Sequence, residues 1–298
     1  MRFLQDFGGW VRSSGRKRLR IPDTLEATKS ATFCVHLPNP RQQGFPTPQG
    51  TGFFVSPDGW FLTAAHVITE NGASDGPVRK DIADATLAKE DELWLDPSSP
   101  PRFGPSCIGI NLEFVDPLTD LALLKIDRAR NPDREWLRNG APFPNLRVSL
   151  RLLDEGEEVY AFGYPLSKGG LVYPGPAILA GDVQLSPRVT SAIVASRIEA
   201  TSMVRESGPS LHYVLDNALN YGNSGGPILA TGTGHVHAFC SRFQPVYVPQ
   251  AHLADAQGKH PAVMIPSLYG VVVNLGYPRV VKELRQRGIP LAYNDRAA

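Results

Sequence analysis

Residues 50–67 read GTGFFVSPDGWFLTAAHV. Two apolar runs flank the tetrapeptide Ser56-Pro57-Asp58-Gly59, which favours a tight turn because proline fixes its own φ and glycine accepts a positive φ. The flanking runs are rich in phenylalanine, valine, tryptophan and threonine, which are common in strands. The stretch therefore predicts a β-hairpin, and its second strand ends close to His66.

Short β-rich runs of this kind, separated by Gly, Pro and Asp turns, continue along the chain. They include CIGINLEFVD (107–116), DLALLKID (120–127), HYVLDNAL (212–219) and LYGVVVNL (268–275). Only Pro278–Gln286 predicts a helix, with Val280, Val281 and Leu284 on one face and Gly288 as its C-terminal cap. Close strand spacing without βαβ alternation predicts an all-β sandwich or barrel.

Composition excludes several classes of protein. The chain has 298 residues, of which 28 are glycine and 27 proline, so turns are favoured over long helices or a coiled coil. Hydrophobic residues make up 42% of the sequence, which is enough for a folded core. The 30 basic and 29 acidic residues leave a net charge of +1, so we expect neither nucleic acid nor a membrane surface as a partner.

The N-terminus reads MRFLQDFGGWVRSSGRKRLR and lacks the apolar core of a secretory signal. No apolar run approaches the ~18 residues of a membrane-spanning helix. The sequence therefore predicts a cytoplasmic protein, unless a leader has been removed. Residues 1–28 are predicted to be an N-terminal basic extension, either a solvated arm or a docking segment for an acidic partner, with its cluster at Arg16, Lys17, Arg18 and Arg20.

Cysteine and histidine spacing gives no sign of a metal site. Cys34, Cys107 and Cys240 are far apart and include no CxxC pair, so they predict buried reduced thiols rather than disulfides or a zinc ribbon. His235 and His237 share one face of a predicted strand, but no matching carboxylate or cysteine accompanies them. We expect a structural pair and no bound metal.

Three segments carry the chemistry: Thr63-Ala64-Ala65-His66, Asp120-Leu121-Ala122-Leu123-Leu124 and Gly222-Asn223-Ser224-Gly225-Gly226-Pro227. A serine hydroxyl is a poor nucleophile at neutral pH and needs a base with a pKa near 7, which histidine supplies. A buried carboxylate then holds the histidine in one tautomer and stabilises its imidazolium. We assign these roles to Ser224, His66 and Asp120. Asp116 is the competing carboxylate and lies in a more polar stretch.

The glycines around Ser224 indicate an oxyanion hole. A tetrahedral oxyanion needs two backbone N–H groups aimed at one point, and a tight loop with unusual backbone angles can bring them there. The amides of Gly222 and Ser224 are the predicted pair. Gly225 and Gly226 are predicted to leave room for the substrate backbone.

These motifs resemble the trypsin-like serine proteases, most of all their bacterial HtrA-type branch. Four blocks carry the resemblance in the family's order, within roughly residues 28–288: GTGFFVSPDGWFLTAAHV (50–67), DPLTDLALLKID (116–127), YAFGYP (160–165) and LDNALNYGNSGGPIL (215–229). The resemblance implies a chymotrypsin-like fold of two six-stranded antiparallel β-barrels with a C-terminal α-helix. Residues 29–145 would form the first barrel, with the His and Asp, and 146–298 the second, with the Ser. Hydrolysis would pass through an acyl-enzyme without metal or organic cofactor.

The sequence also departs from that family. HtrA-type chains usually continue into a PDZ domain, and no Ile-Val-Gly-Gly-like start of a cleavage-activated zymogen is present. Residues 69–106, with Lys80–Ile82 and Leu87–Leu95 as candidate short elements, are predicted to be a long surface insertion between the His and the Asp. The loop-rich stretches 166–210 and 244–265 suggest regulation or a partner surface. Asp216 matches a family position that shapes the serine loop and is not assigned to catalysis.

The resemblance also predicts specificity. Preference for Lys or Arg requires an acidic residue at the pocket floor, whereas the matching position is Ala218, followed by Leu219. Ser241, Arg242 and Phe243 would line one wall and pair with substrate as an added strand. A pocket without a floor charge predicts a small or medium apolar residue, such as Ala, Val or Leu, before the scissile bond.

The function predicted is that of a serine endopeptidase acting on protein or peptide substrates. The alternative is a catalytically idle protease fold that serves as a binding or scaffold module. A third hypothesis is a protease held inactive until a regulatory protein partner or ligand orders its loops. Other serine hydrolases are disfavoured, because the Ser-Asp-His order of the α/β-hydrolases is missing from this chain.

Overall fold

A computed structural model describes residues 21–42, 44–88, 92–95, 108–127, 129, 131, 142–175, 178–198, 209–217, 219–249 and 262–293. Residues 1–20, which include the predicted basic cluster, lie outside these ranges. In chain order the elements are α1 (Ile21–Ala31), β1 (Thr32–Asn39), β2 (Phe45–Phe54), β3 (Trp60–Ala64), β4 (Thr86–Ala88), β5 (Glu92–Leu95), β6 (Ile108–Asp116), β7 (Leu121–Ile126), β8 (Val148–Ser149), β9 (Glu158–Gly163), β10 (Lys168–Gly175), β11 (Ile178–Gln184), β12 (Arg188–Ile198), β13 (His212–Leu215), β14 (Pro227–Ala230), β15 (Val236–Pro249), β16 (Ala262–Asn274), α2 (Pro278–Gln286) and β17 (Leu291–Ala292).

The first barrel closes in the order β1-β2-β3-β7-β6-β4, and every neighbouring pair is antiparallel. The predicted hairpin is its β2–β3 unit, in which the Val55 amide donates to the Trp60 carbonyl (2.8 Å) and Gly59 adopts φ 92°. Phe54 lies at the centre of the barrel and contacts Phe61 edge to face, with ring centroids 5.1 Å apart. The hairpin prediction is confirmed.

The second barrel is the ring β14-β9-β12-β13-β16-β15, closed by pairing of β14 with β15. Its strands are also antiparallel, and β8 and β17 extend the sheet beyond β15 in parallel pairings. Its interior is filled by buried side chains such as Val194, Tyr213, Ile228 and Val272. The expected fold of two six-stranded antiparallel barrels is therefore confirmed.

A separate three-stranded sheet pairs β10, β11 and β5. This sheet and β4 correct the prediction that residues 69–106 are a surface insertion. Thr86–Ala88 are buried and supply the sixth strand of the first barrel, and Glu92–Leu95 pair with β11. Both strands overlap the candidate element Leu87–Leu95. With three and four residues each, they are too short for the sequence to show which sheet they join.

Helix α1 was not predicted, since the sequence indicated a helix only near the C-terminus. Its fully buried residues, Thr28 and Ala31, are small, and Ile21 and Leu25 pack against the core while only partly buried, so its apolar face is weak in the sequence. The hydroxyls of Thr24 and Thr28 lie 2.6 Å and 3.1 Å from the Tyr160 hydroxyl on β9. The predicted extension, residues 1–28, thus includes in residues 21–28 a helix that is docked on the second barrel.

Helix α2 agrees with its prediction. Val280, Val281 and Leu284 are buried on one face, and Gly288 after its end adopts φ 67°. Within the described ranges, no helix has the length and apolar character needed to cross a membrane.

Candidate active site

His66 lies on a short 3₁₀ turn, Ala65–Ile68, directly after β3. Its Nδ1 is 2.9 Å from Oδ2 and 3.1 Å from Oδ1 of Asp120, and its backbone amide donates to Oδ1 of the same carboxylate at 3.0 Å. A carboxylate can only accept from Nδ1–H, so this contact leaves the Nε2 lone pair of the neutral ring available to a hydroxyl. The geometry is that of an oriented general base.

Asp120 follows the 3₁₀ turn Pro117–Thr119 and adopts the left-handed region with φ 52°. Aspartate tolerates this region better than most residues, because its short polar side chain bonds locally. The Asp120 carbonyl accepts from the Ala65 amide at 2.8 Å, and Oδ2 accepts from the Ser241 hydroxyl at 2.7 Å. The Asp120 carboxylate thus accepts hydrogen bonds from the His66 amide, the His66 ring and the Ser241 hydroxyl, and Asp120 is almost fully buried.

The competing carboxylate, Asp116, lies elsewhere. Arg279 on α2 donates to it through Nε (2.5 Å) and Nη2 (3.0 Å), and Thr119 Oγ1 donates at 2.8 Å. Burial raises the pKa of Asp116, but the Arg279 hydrogen bonds and charge, together with hydrogen bonds from Thr119 and the Leu118 amide, hold that pKa below its usual range. Asp116 joins helix α2 to the first barrel, and Asp120 alone of the two contacts His66.

Ser224 lies on a loop that is packed against the first barrel. Its carbonyl accepts from the Thr51 amide at 2.8 Å, and the next amide, of Gly225, donates to the Cys240 carbonyl at 2.7 Å. Gly225 has φ 82°, and a Cβ there would lie 2.2 Å from both the Thr51 carbonyl and Thr63 Oγ1. Glycine is therefore required at this position for contact between the barrels, which differs from the predicted role of leaving room for substrate.

The hydroxyl of Ser224 donates to the carbonyl of Ser241 at 3.3 Å. Within the described part of the chain, no Ser224–His66 hydrogen bond is formed. All three predicted side chains nevertheless line one cleft of about 760 Å³, together with Gly222 and Ser241.

The two amides predicted to form the oxyanion hole lie on the same loop. Gly222 adopts φ 95°, and its carbonyl accepts from Thr51 Oγ1 at 2.5 Å. Among the residues that the structure describes, the amides of Gly222 and Ser224 donate to no protein group. Both are therefore available to an oxygen that develops negative charge in the cleft.

The predicted pocket residues are only partly described. Leu219 lines the cleft and is 4% exposed, and Arg242 lies exposed on β15 beside it. Ser241 lies at a register shift of β15 and binds Asp120, a contact that the sequence analysis did not predict. Ala218 and the side chain of Phe243 lie outside the described residues.

His212 on β13 is a further group near the site that the sequence analysis missed. Burial and the Arg242 charge lower its pKa to about 4, although the Asp120 charge acts in the opposite direction. The neutral form of this ring is therefore favoured beside the carboxylate. His212 lies ten residues before Gly222 on a predicted strand, and no motif there indicated that it approaches Asp120.

Leu166, in the turn after β9, was also missed. It lines the cleft, its side chain is 58% exposed, and it adopts φ 58°, a region that costs about 1–2 kcal/mol for a residue with a Cβ. Its amide donates to the Tyr221 carbonyl at 2.9 Å. The available signal was Tyr164-Pro165 followed by leucine, where such a turn usually has glycine.

No group of three or more potential metal ligands occurs in the described ranges. His237 is buried and its Nδ1 lies 2.9 Å from the Arg151 carbonyl, so it packs against the backbone of the second barrel. This contact fits the structural role predicted for the pair with His235.

Comparisons with known proteins agree with this geometry. A protein-family model described as "Trypsin-like peptidase domain" matches residues 50–238, which is more than half of the chain. The matched range includes the three residues proposed for catalysis and both amides of the proposed oxyanion hole.

Several curated proteins are similar in sequence. One is a Brucella suis biovar 1 protein named "Probable periplasmic serine endoprotease DegP-like", 30% identical over 228 residues, covering 76% of this chain and 31% of the relative. The serine protease HhoB of Synechocystis is 28% identical over 239 residues (80% and 42%), and zebrafish HTRA1B is 26% identical over 284 residues (90% and 48%). The chain spans roughly a third to a half of these relatives. The periplasmic name does not support the predicted cytoplasmic location.

Proposed function

The chain belongs to the trypsin-like peptidase family, and we propose that it is a serine endopeptidase in which Ser224, His66 and Asp120 form the catalytic triad. The Asp120 carboxylate on His66 Nδ1, in a cleft shared with Ser224 and two free amides, carries this proposal. We further propose that residues 29–145 and 146–298 are its two catalytic half-domains.

The proposed reaction begins when the Ser224 hydroxyl turns from the Ser241 carbonyl to His66 Nε2. Nε2 removes the hydroxyl proton as Oγ attacks the substrate carbonyl, and Asp120 stabilises the imidazolium that results. The amides of Gly222 and Ser224 donate to the oxyanion. The imidazolium then protonates the leaving amine, and water hydrolyses the acyl-enzyme through the same base.

The proposed specificity is for a small or medium apolar residue before the scissile bond. The buried Leu219 side chain in the cleft supports it, and Ser241–Phe243 on β15 offer backbone groups to an extended peptide. A fluorogenic peptide panel with Ala, Val, Leu, Phe, Arg, Lys or Asp at that position tests it. Highest kcat/KM for Arg or Lys would overturn the proposal.

Labelling by a fluorophosphonate probe tests catalysis itself. Wild-type protein is expected to be labelled at Ser224, and Ser224→Ala is expected to lose both labelling and peptide hydrolysis. Ser191→Ala, an exposed serine on β12, is the matched control and is expected to retain both. An unlabelled, correctly folded wild type that still binds peptides would support the idle binding module instead.

The third hypothesis is activation by a regulatory partner or ligand. The Ser224–Ser241 hydrogen bond supports it, because the Ser224 hydroxyl binds a carbonyl and not the His66 ring. This hypothesis predicts little peptide hydrolysis by the isolated protein, and full turnover without any additive would count against it. The cytoplasmic location remains a prediction and is tested by cell fractionation of the natural protein, with a periplasmic location as the opposing outcome.

A further inference from the structure

The turn after β9 joins the strained Leu166 to the proposed oxyanion hole. Leu166 is one of two non-glycine residues with positive φ in the described chain, and the other is Asp120. Leucine rarely adopts this conformation, so the surrounding structure must impose it. Such outliers concentrate where function requires an unusual backbone direction.

The Leu166 amide is the donor that this conformation directs towards the serine loop. It bonds the carbonyl of Tyr221 at 2.9 Å, and Tyr221 directly precedes Gly222. The peptide between these two residues is trans, so its C=O and N–H groups point in opposite directions. A carbonyl held towards the turn therefore turns the Gly222 amide away from the turn, and Gly222 itself lines the cleft.

The turn is itself fixed from several directions. Ser167 Oγ donates to the Tyr164 carbonyl at 3.0 Å and accepts from the Ser186 amide at 2.9 Å. The Tyr164 amide donates to Thr51 Oγ1 at 3.0 Å. A Cβ on Gly222 would lie 2.5 Å from the Tyr164 carbonyl, so the serine loop rests directly on this turn.

We propose that Leu166 is a positioning residue of the oxyanion hole: its backbone amide, held at positive φ, binds the Tyr221 carbonyl and thereby orients the Gly222 N–H towards the substrate oxyanion. The inference rests on the proposed peptidase function. The opposite orientation of this peptide would break the Leu166–Tyr221 bond and withdraw one of the two oxyanion donors. The leucine side chain is not required for this role.

Three substitutions of Leu166 distinguish the contribution of its backbone amide and positive φ from the contribution of its side chain. Leu166→Gly keeps the amide and accepts positive φ, so kcat is expected within about threefold of wild type. Leu166→Val keeps an apolar side chain but resists positive φ, so kcat is expected to fall at least about tenfold. Leu166→Pro lacks the N–H group and should approach the ~100-fold loss that follows removal of an oxyanion donor.

Three measurements distinguish a positioning role of Leu166 from loss of folding: KM, inhibition by a peptide aldehyde, and melting temperature. KM is expected to stay within about twofold for Gly and Val, because the oxyanion forms only after substrate is bound. Inhibition by a peptide aldehyde, whose adduct places an oxygen anion in the hole, should weaken in step with kcat, whereas the corresponding peptide amide should bind equally well. Melting temperatures of the variants show which remain folded. If Leu166→Pro does not fold, the comparison of Leu166→Gly with Leu166→Val decides the result.

The inference is overturned when Leu166→Val has wild-type kcat, or when Leu166→Gly loses as much kcat as Leu166→Val, which would assign the effect to the side chain. Both results require a wild type that hydrolyses peptide in a Ser224-dependent manner. An inert wild type, also unreactive to fluorophosphonate, would instead contradict the proposed peptidase function.

Discussion

The Asp120 carboxylate accepts hydrogen bonds from the His66 amide, the His66 ring and the Ser241 hydroxyl. Two of these donors belong to the first barrel and the third to the second barrel. Asp116, four residues earlier, is instead paired with Arg279. Sequence favoured Asp120 because an apolar strand follows it, whereas the role of Asp116 depends on a helix more than 150 residues away.

Asp120→Asn is expected to lower kcat by roughly 10³–10⁴ at pH 7, because an amide NH₂ opposite Nδ1 favours the wrong histidine tautomer. Steady-state hydrolysis of a fluorogenic peptide measures the loss. Asp116→Asn is the matched control and is expected to keep kcat within about threefold while lowering the melting temperature. Equal losses of kcat in the two variants would contradict the assignment of the triad carboxylate.

His36 on β1 is buried, and its Nε2 has no hydrogen-bond partner among the described residues. Burial lowers its pKa to about 4, whereas an unfolded histidine titrates near 6.5. Between these values the unfolded chain binds a proton that the folded chain does not, so stability falls as pH decreases from about 6.5 to 4. Above about pH 6.5, His36 adds no pH dependence to the stability of the protein.

His36→Leu is expected to remove this contribution, which amounts to about 2 kcal/mol of unfolding free energy between pH 7 and pH 5. Urea unfolding of both proteins at the two pH values measures it. His212 acts in the same direction in both proteins, so the variant keeps part of the pH dependence. An identical loss in wild type and variant would show that His36 is already protonated or accessible in the folded state.

At the scale of elements, amphipathic or turn-bounded segments were predictable and short ones were not. The β2–β3 hairpin and α2 have long apolar patterns with proline and glycine at their ends. Strand β4 has only three residues, and the fully buried side chains of α1 are small, so the local pattern of each is weak. Both are stabilised by neighbours that are distant in sequence.

Arg279→Gln is expected to lower the melting temperature near neutral pH, because it removes the ion pair that joins α2 to the buried Asp116. The Asp116 pKa is held below its usual value, so this contribution is present above about pH 4 and is lost at lower pH. The difference from wild type should therefore shrink towards pH 3. Differential scanning calorimetry across this range provides the measurement.

Lys282→Gln is the matched control, since Lys282 is exposed on the same helix and its replacement also removes one positive charge. It is expected to leave the melting temperature within about 1 °C, as surface changes away from such contacts usually do. Equal shifts in both variants would indicate a general charge effect of α2 and not the Asp116 contact.

At the scale of the whole molecule, Thr51 on β2 joins the two barrels at the active site. Its amide donates to the Ser224 carbonyl, its hydroxyl donates to the Gly222 carbonyl, and the same hydroxyl accepts from the Tyr164 amide. Thr51 is fully buried. One residue of the first barrel thus supports both the serine loop and the turn that contains Leu166.

Thr51→Val is expected to lower kcat/KM at least about tenfold, because the methyl group leaves the buried Gly222 carbonyl and Tyr164 amide unpaired. Thr51→Ser keeps the hydroxyl and should remain within about threefold of wild type. Peptide hydrolysis and circular dichroism of the folded variants measure activity and integrity. Equal activity in the two variants would show that this hydroxyl does not position the loop.

The sequence by itself determined the all-β class, the β2–β3 hairpin, helix α2 and the identities of the three chemical groups. These follow from local patterns, because turn residues, apolar runs and loop glycines act over a few positions. Only the tertiary structure decided that Asp120 contacts His66, that Ser241 binds this carboxylate, and that Ser224 faces the Ser241 carbonyl. It also decided the strain at Leu166. The Asp120–His66 contact depends on how the first barrel closes, and the Ser241 contacts depend on how the two barrels pack. Contacts between residues distant in sequence leave no periodic trace in the chain.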